Sequence, residues 1–419
     1  MNRRQLLRGG LAATLAAAAT TGAASSRPAA RRVVLRSSWQ TINIGDIGHT
    51  PGVLAILEQY LPEVDVVLWP SDVGNGVEAM LMRRFPKLVI TKDRAVIREC
   101  DFLLHGSGPY LTAARDVAWW RDEVKKPYGI YGITMAPAGD PGLKIMKNNG
   151  LDAPTKSLLD DASFVYLRDG ASLKVVQDAG VRSPVVAFGP DGAFGADVRD
   201  DARAEAFLTG HGLEAGRFLC CIPNLRNAPY WRIKPNYAFD EAKHRQNEAL
   251  KEHDHAPLRE AIAAVVRETG MKVLICPEDS TQMQEGQELL YTPLPDDVKP
   301  HVVHRETFWL TDEAISTYIR SAGYFGNEMH SAIMCVGNGV PAVVGRFVEQ
   351  TTKGLMWRDI GVGDWLFDLD SESDRARIAP TVLTLARDPA AARAKAAEAQ
   401  AFVRARQKDT MDVLRKCLA

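Results

Sequence analysis

Short apolar runs rich in β-branched residues alternate with longer amphipathic stretches along this chain, and the series starts twice. That alternation specifies βα units on a mainly parallel sheet, because parallel neighbours need a crossover and helices on both faces bury the strands. The first series predicts strands near residues 33–36, 64–69, 102–104, 128–133, 164–167 and 185–188. After a polar stretch at 197–216, the second predicts strands at 218–222, 272–276, 302–304, 324–326 and 342–344. Helices are expected at 51–60, with Thr50 as cap and Pro51 at the first helical position. Others are expected at 172–179 ending on Gly180, at 258–268 and at 312–321. The tail from 390 to 418, rich in Ala, Arg, Lys and Glu, reads as one or two surface helices. The fold class is therefore α/β, with two Rossmann-like lobes (31–205 and 206–388) facing a central cleft and a helical tail at 389–419.

Residues 1–30 stand apart. Arg3-Arg4 precede Leu6-Leu7, a weakly apolar alanine-rich run follows, and Gly22-Ala23-Ala24-Ser25 suit a signal peptidase. This is the pattern of a twin-arginine export signal. It predicts a periplasmic or extracytoplasmic destination, with the twin-arginine translocation machinery as a partner. The apolar run is too short to span a bilayer, and no later segment approaches that length. The chain has 51 basic and 52 acidic residues; without Arg3, Arg4, Arg8 and Arg27 the balance is 47 against 52, about −5. A mildly acidic protein lacks the basic face that general nucleic-acid binding needs. The six cysteines form no CxxC pair and no His/Cys cluster with zinc spacing, and those in apolar runs read as buried, inert thiols. No metal site is expected: Asp368-Leu369-Asp370 has the form of a DxD pair, but in an acidic loop it reads as a solvated turn.

Ligands of open parallel sheets bind beyond the carboxyl ends of the strands, so chemistry is sought there. Asn43 and Asp46 follow the first strand and could hold substrate hydroxyls; a plain turn with an Asx cap is the alternative. His105 and Ser107, in His105-Gly106-Ser107-Gly108, offer a small-residue loop suited to an anion. Arg168 and Asp169 precede a helix, where the default role is structural. Arg226 lies just past an apolar strand, where a guanidinium fork could hold phosphate or carboxylate. Glu328 and His330 sit where a strand gives way to a helix, whose N-terminus favours an anion. His330 could move protons near neutral pH, and Lys353 follows the next strand.

Taken in order, NIGD at 43–46, HGSG at 105–108, LRDGAS at 167–172, PDGAF at 190–194, Arg226, MHSAI at 329–333, NGVPAV at 338–343 and Lys353 resemble the polysaccharide pyruvyl transferase family. The resemblance implies two lobes of the glycosyltransferase B type. It also implies transfer of a pyruvyl group from phosphoenolpyruvate, a co-substrate rather than a cofactor, to two hydroxyls of a glycan acceptor. In that frame His330 would be the catalytic acid/base. Arg226 would clamp the small anionic donor with help from Lys353, and with His105 and Ser107 on the donor side. Asn43 and Asp46 would lie near the acceptor. Two features depart from the family pattern. His105 and Ser107 stand at positions often glycine, and Glu328 stands where the family usually has arginine. A carboxylate there would turn an attraction of roughly −4 kcal/mol into a repulsion of roughly +4 at about 4 Å. Two other readings follow from that departure: a glycosyltransferase-like enzyme using another donor, with Glu328 on a sugar hydroxyl, or a bilobal glycan-binding protein without turnover.

Overall fold

The apolar runs pair side by side because helices cover both faces of each sheet, which leaves the strands buried along nearly their whole length. The computed structural model describes residues 31–136, 150–234 and 236–419, so the export signal expected at 1–30 lies outside the described residues. The first sheet contains β1 (Arg32–Ser37), β2 (Asp65–Pro70), β3 (Val89–Ile90), β4 (Phe102–His105), β5 (Tyr128–Ile133), β6 (Val165–Leu167) and β7 (Val186–Phe188). The second contains β8 (Phe218–Ile222), β9 (Lys272–Ile275), β10 (Val302–His304), β11 (Gly323–Gly326), β12 (Ala342–Arg346) and β13 (Leu366–Asp368). The strand orders are β3-β2-β1-β4-β5-β6-β7 and β10-β9-β8-β11-β12-β13. Every pairing is parallel; Val34, for example, lies between Val67 and Leu103. Only β3 and β13, edge strands of two and three residues, escape the sequence pattern.

Residues 31–419 form one compact unit, and one apolar core runs from the first sheet through to the second. The helix Asp201–Gly210 spans the boundary expected at 205; Asp200, its cap, donates its N–H to Asp312 O at 3.2 Å and Ser316 Oγ at 3.0 Å on the second-sheet side. The tail is a single helix, Pro389–Leu418, that buries Ala392, Ala396, Ala399, Val403, Met411 and Leu414 along one face. It straps both lobes: Tyr60 donates to Arg404 O, Arg415 pairs with Glu63, and Gln400 donates to Gly337 O. Among the described residues no helix is long and apolar enough to cross a membrane. The described cysteines are free, all buried except the half-buried Cys417.

The first helix overturns its expected start. It runs from Ile44 to Tyr60 with Asn43 as cap, so Pro51 lies inside it and Thr50 is no cap; the Thr50 hydroxyl instead meets Ser37 Oγ at 2.9 Å. Burial on all sides stabilises this poor helical sequence, since thirteen of its residues from Ile44 to Leu57 are buried. Its glycines permit the contact. A Cβ on Gly45 would lie 2.1 Å from His330 Cβ, one on Gly48 2.8 Å from Met334 Sδ, and one on Gly52 2.0 Å from Gly192 O. The helix expected at 258–268 also starts much earlier, at Glu241. Its first half hides polar residues, Asn247 and Asp254, which hydrogen-bond Asn227 and Arg226 and leave no apolar signal.

These contacts fix the sign of two substitutions. Gly52→Ala should lower the melting temperature despite a helix-propensity gain of about 1 kcal/mol, because backbone cannot retreat from the new methyl. Gly210→Ala, where an added Cβ meets nothing within 4 Å, should be neutral or stabilising. Equal effects at the two sites would refute the close approach.

A pH dependence follows from Glu285, which is 2% exposed. Burial and the neighbouring Asp279 push its carboxyl up to about 8. The folded chain then keeps a proton that the unfolded chain has released, so stability falls as pH rises from about 4.5 to 8. At pH 8 the effect is of order a few kcal/mol, at about 1.4 per unit. Glu285→Gln should match the wild type in thermal melts at pH 4 and melt higher at pH 8; parallel curves would exclude this origin.

Candidate active site

In each sheet the strand order reverses beside the first strand, between β1 and β4 and between β8 and β11, and such reversals open a crevice at the carboxyl ends. The two crevices meet. The loop after β1 is clasped to the loop after β9: Ile44 N donates to Glu278 O at 2.9 Å and Ser280 N to Ile42 O at 3.4 Å. Thr311 Oγ1 closes the same seam on Ile44 O at 2.8 Å. The N-termini of the Ile44–Tyr60 and Met329–Gly337 helices therefore abut, one from each lobe.

His330 projects from the first turn of the second of these helices. Its Nδ1 lies 3.2 Å from Glu278 Oε1, and its Nε2 lies 4.0 Å from Asp46 Oδ1. His49, one turn beyond Asp46, meets the His330 ring edge-on at 4.9 Å. Its Nδ1 is 2.8 Å from Asp191 Oδ1, and the other Asp191 oxygen accepts from Arg168 Nη1 at 2.6 Å. Arg168 Nε donates to Thr134 Oγ1 at 2.7 Å. A buried relay thus runs Arg168–Asp191–His49 toward Asp46, His330 and Glu278.

The electrostatics divide two carboxyls. Burial raises Glu278, but the hydrogen bond and charge of His330, the charge of Lys353 and the Ser331 contact more than reverse it, so Glu278 is ionised. The Ser331 N–H reaches Glu278 Oε2 at 2.6 Å. Glu278 therefore fills the helix N-terminus that was expected to receive a donor anion. Burial, and then the negative charge of Glu278, push Glu328 well above its ordinary value. It caps the helix through Met329 N and accepts from Gln282 Nε2 at 3.1 Å. That shift weakens the repulsion expected from a Glu328 carboxylate, because burial beside Glu278 disfavours its charged form. Burial and Lys353 lower His330, against the opposing pull of Glu278 and Asp46.

Several expected roles change. Arg226 does not face a donor: Asp254 grips it at 2.8 and 3.0 Å, with Asp370 at 2.7 Å and Glu349 at 3.4 Å, so its charge is more than neutralised. Asp368 and Asp370 flank the expected turn, with Asp370 exposed, and each also pairs with an arginine, Arg346 and Arg226. His105 is no anion ligand. Burial and Arg36 push it down to about 3, and its Nε2 accepts the Ala113 N–H at 3.2 Å. Ser107 is likewise occupied, its hydroxyl accepting from Gly192 N at 2.7 Å and its carbonyl from Trp39 Nε1 at 2.6 Å. Asn43 is the cap of the alternative reading, its Oδ1 accepting from Gly45 N and Asp46 N at 2.8 and 3.0 Å. Asp169 caps the Gly170–Asp178 helix through Ser172, and Arg168 props Asp191.

The structure brings together Asp46, Glu328, His330 and Lys353. Lys353 is half-buried and has no ion pair among the described residues, which leaves its charge available to an anion. Sequence reasoning missed His49 and assigned no role to Asp191 or to Glu278, although Glu278 lies just past a strand end. The signal for His49 was its position three residues after Asp46 on one helical face, hidden by the misplaced helix start.

Known structures share this architecture at low identity. Neisseria meningitidis UDP-GlcNAc 2-epimerase bound to UDP-GlcNAc matches with a TM-score of 0.54 and 11% identity, over 92% of this chain and 100% of that one. A UDP-glucosyltransferase from Polygonum tinctorium matches with a TM-score of 0.53 and 12% identity, over 93% and 98%. S. aureus MnaA with UDP gives 0.53 and 11%, over 87% and 90%. The fold is thus that of glycosyltransferase B enzymes and related epimerases. No curated protein matches in sequence. The polysaccharide pyruvyl transferase family model matches residues 43–344, from the cap of the first helix through β12, a span that includes Asp46, Glu278 and His330. On that match, over most of its length and across all of its site but Lys353, the chain belongs to the polysaccharide pyruvyl transferase family.

Proposed function

We propose that this transferase adds a pyruvyl group, or a closely related enol-derived group, to paired hydroxyls of a glycan, and that it does so outside the cytosol. The observation that carries the reading is His330: it lies at the meeting point of the two lobes, with one nitrogen against Glu278 and the other toward Asp46. The residue 1–30 pattern supports the location.

Ketal formation from an enol phosphate needs a proton on the enol carbon, removal of a proton from each attacking hydroxyl, and departure of phosphate. The hydroxyl protons balance as one on the new methyl group and one on the released phosphate. His330, with Glu278 holding its far nitrogen, is placed to carry a proton between acceptor and donor. Asp46 orients the hydroxyl from the first lobe, and Lys353 attracts the donor's negative charge.

The test is phosphate release by the mature protein given phosphoenolpyruvate and a diol-bearing glycan. His330→Ala should lower kcat by at least about 100-fold. Lys353→Met should mainly raise the donor KM, roughly tenfold, as loss of one charge-assisted contact does. Unchanged phosphate release by His330→Ala would overturn the assigned role. Binding of a nucleotide-sugar without any response to phosphoenolpyruvate would move the reading to another donor.

A further inference from the structure

Nε2 of His49 and Nε2 of His330 have no hydrogen-bond partner, although His49 is fully buried and His330 only 8% exposed. Buried polar atoms are rarely left so, because desolvation without a partner is costly. Both nitrogens lie 4.0 Å from the same atom, Asp46 Oδ1, and the three atoms all fall within 4.8 Å of one another. We infer that Asp46, His49 and His330 form a binding site for one divalent transition-metal ion of the zinc class.

Spacing, orientation and charge support the assignment. A point equidistant from atoms so spaced lies within about 2.5 Å of each, and a small inward shift brings it to the 2.0–2.2 Å or so at which imidazole and carboxylate bind zinc. Each ligand is held from behind. Asp191 takes Nδ1 of His49 at 2.8 Å, Glu278 takes Nδ1 of His330 at 3.2 Å, and Gln40 donates to the other oxygen of Asp46. Carboxylates behind imidazoles are how metal-binding histidines are oriented. The carboxylates of Asp46, Asp191 and Glu278 outnumber the nearby cations Arg168 and Lys353, so a dication improves the local balance. Two histidines and one carboxylate leave coordination positions open, and Asp46, with its side chain 18% exposed, marks the solvent side. The neighbouring group of Glu278, Glu328 and His330 Nδ1 is a poorer candidate, because those atoms already bond one another, Ser331, Gln282 and Met329.

No local motif announces the site, since one face of a helix supplies residues 46 and 49 and the other lobe supplies 330. An ion here would place positive charge in the cleft where Arg226 is neutralised and the family arginine is replaced by Glu328. Ion and proton compete for Nε2 of His330, so the loaded protein would use the ion's charge where the metal-free protein uses the proton.

The experiment needs neither donor nor glycan, so its outcome is independent of the pyruvyl-transfer reading. Untagged mature protein is stripped with chelator, dialysed, and titrated with Zn2+ and Co2+ by calorimetry, with elemental analysis of the dialysed complex. The expected result is one ion per chain, visible absorption from bound Co2+, and a higher melting temperature. His49→Gln and Asp46→Asn should each weaken binding at least about 100-fold, while His211→Ala, an exposed histidine outside the site, should leave it unchanged. Metal-free melts of the two near-isosteric variants establish that they fold. Absence of stoichiometric binding to the wild type, or equal affinity in His49→Gln and the wild type, would overturn the assignment.

Discussion

The close approach of two helices at the lobe seam is the constraint on which the rest of this structure depends. The Ile44–Tyr60 helix lies against the Met329–Gly337 helix because Gly45 and Gly48 present no side chain to His330 and Met334. Gly52 does the same against Gly192, and Gly337 against Phe194 O, where a Cβ would lie 2.1 Å away. Glycine weakens a helix by up to about 1 kcal/mol per residue relative to alanine, and Pro51 removes a further hydrogen-bond donor from the same helix. Burial of this helix between the lobes offsets those losses, so its conformation is a property of the tertiary structure. Its first two turns place Asp46 and His49 within reach of a histidine from the other lobe.

Charge placement follows from that seam. Buried ions are tolerated where they are paired and hydrogen-bonded, and the pairing here is asymmetric. Arg168 and Arg226, both at strand ends, are closed off by Asp191 and by the Asp254–Asp370–Glu349 group. Glu278 is ionised against a helix N-terminus, while burial and that charge push Glu328, beside it, well above its ordinary value. Two carboxyls in one buried place divide in this way because the second charge would have to form in the field of the first. The cleft therefore presents imidazole nitrogens, one carboxylate and a lysine, and few of the arginines that strand-end positions suggested.

The strands were legible from the sequence because a two-faced parallel sheet buries continuous apolar runs, and eleven of the thirteen strands carry such a run. The family was legible too, since the motif order from Asn43 to Lys353 survives local change. His330 stood out by its strand-to-helix position. Helix starts were less legible: Asn43 was weighed as a ligand and an Asx cap at once, and only the hydrogen bonds to Gly45 and Asp46 decide between them. Arg226 looked like an anion clamp because its three acidic partners come from residues 254, 349 and 370, which no local pattern links to it.

By itself, the sequence determined the architecture, two parallel α/β lobes, and the placing of His330 at a strand end, because periodicity and turn chemistry act over a few residues. The tertiary structure alone decided which charges are neutralised, which of two neighbouring carboxyls resists ionising, and that Asp46, His49 and His330 share one point. Those outcomes depend on burial and on distances between residues hundreds of positions apart, and both exist only once the two lobes close on the glycine-lined seam.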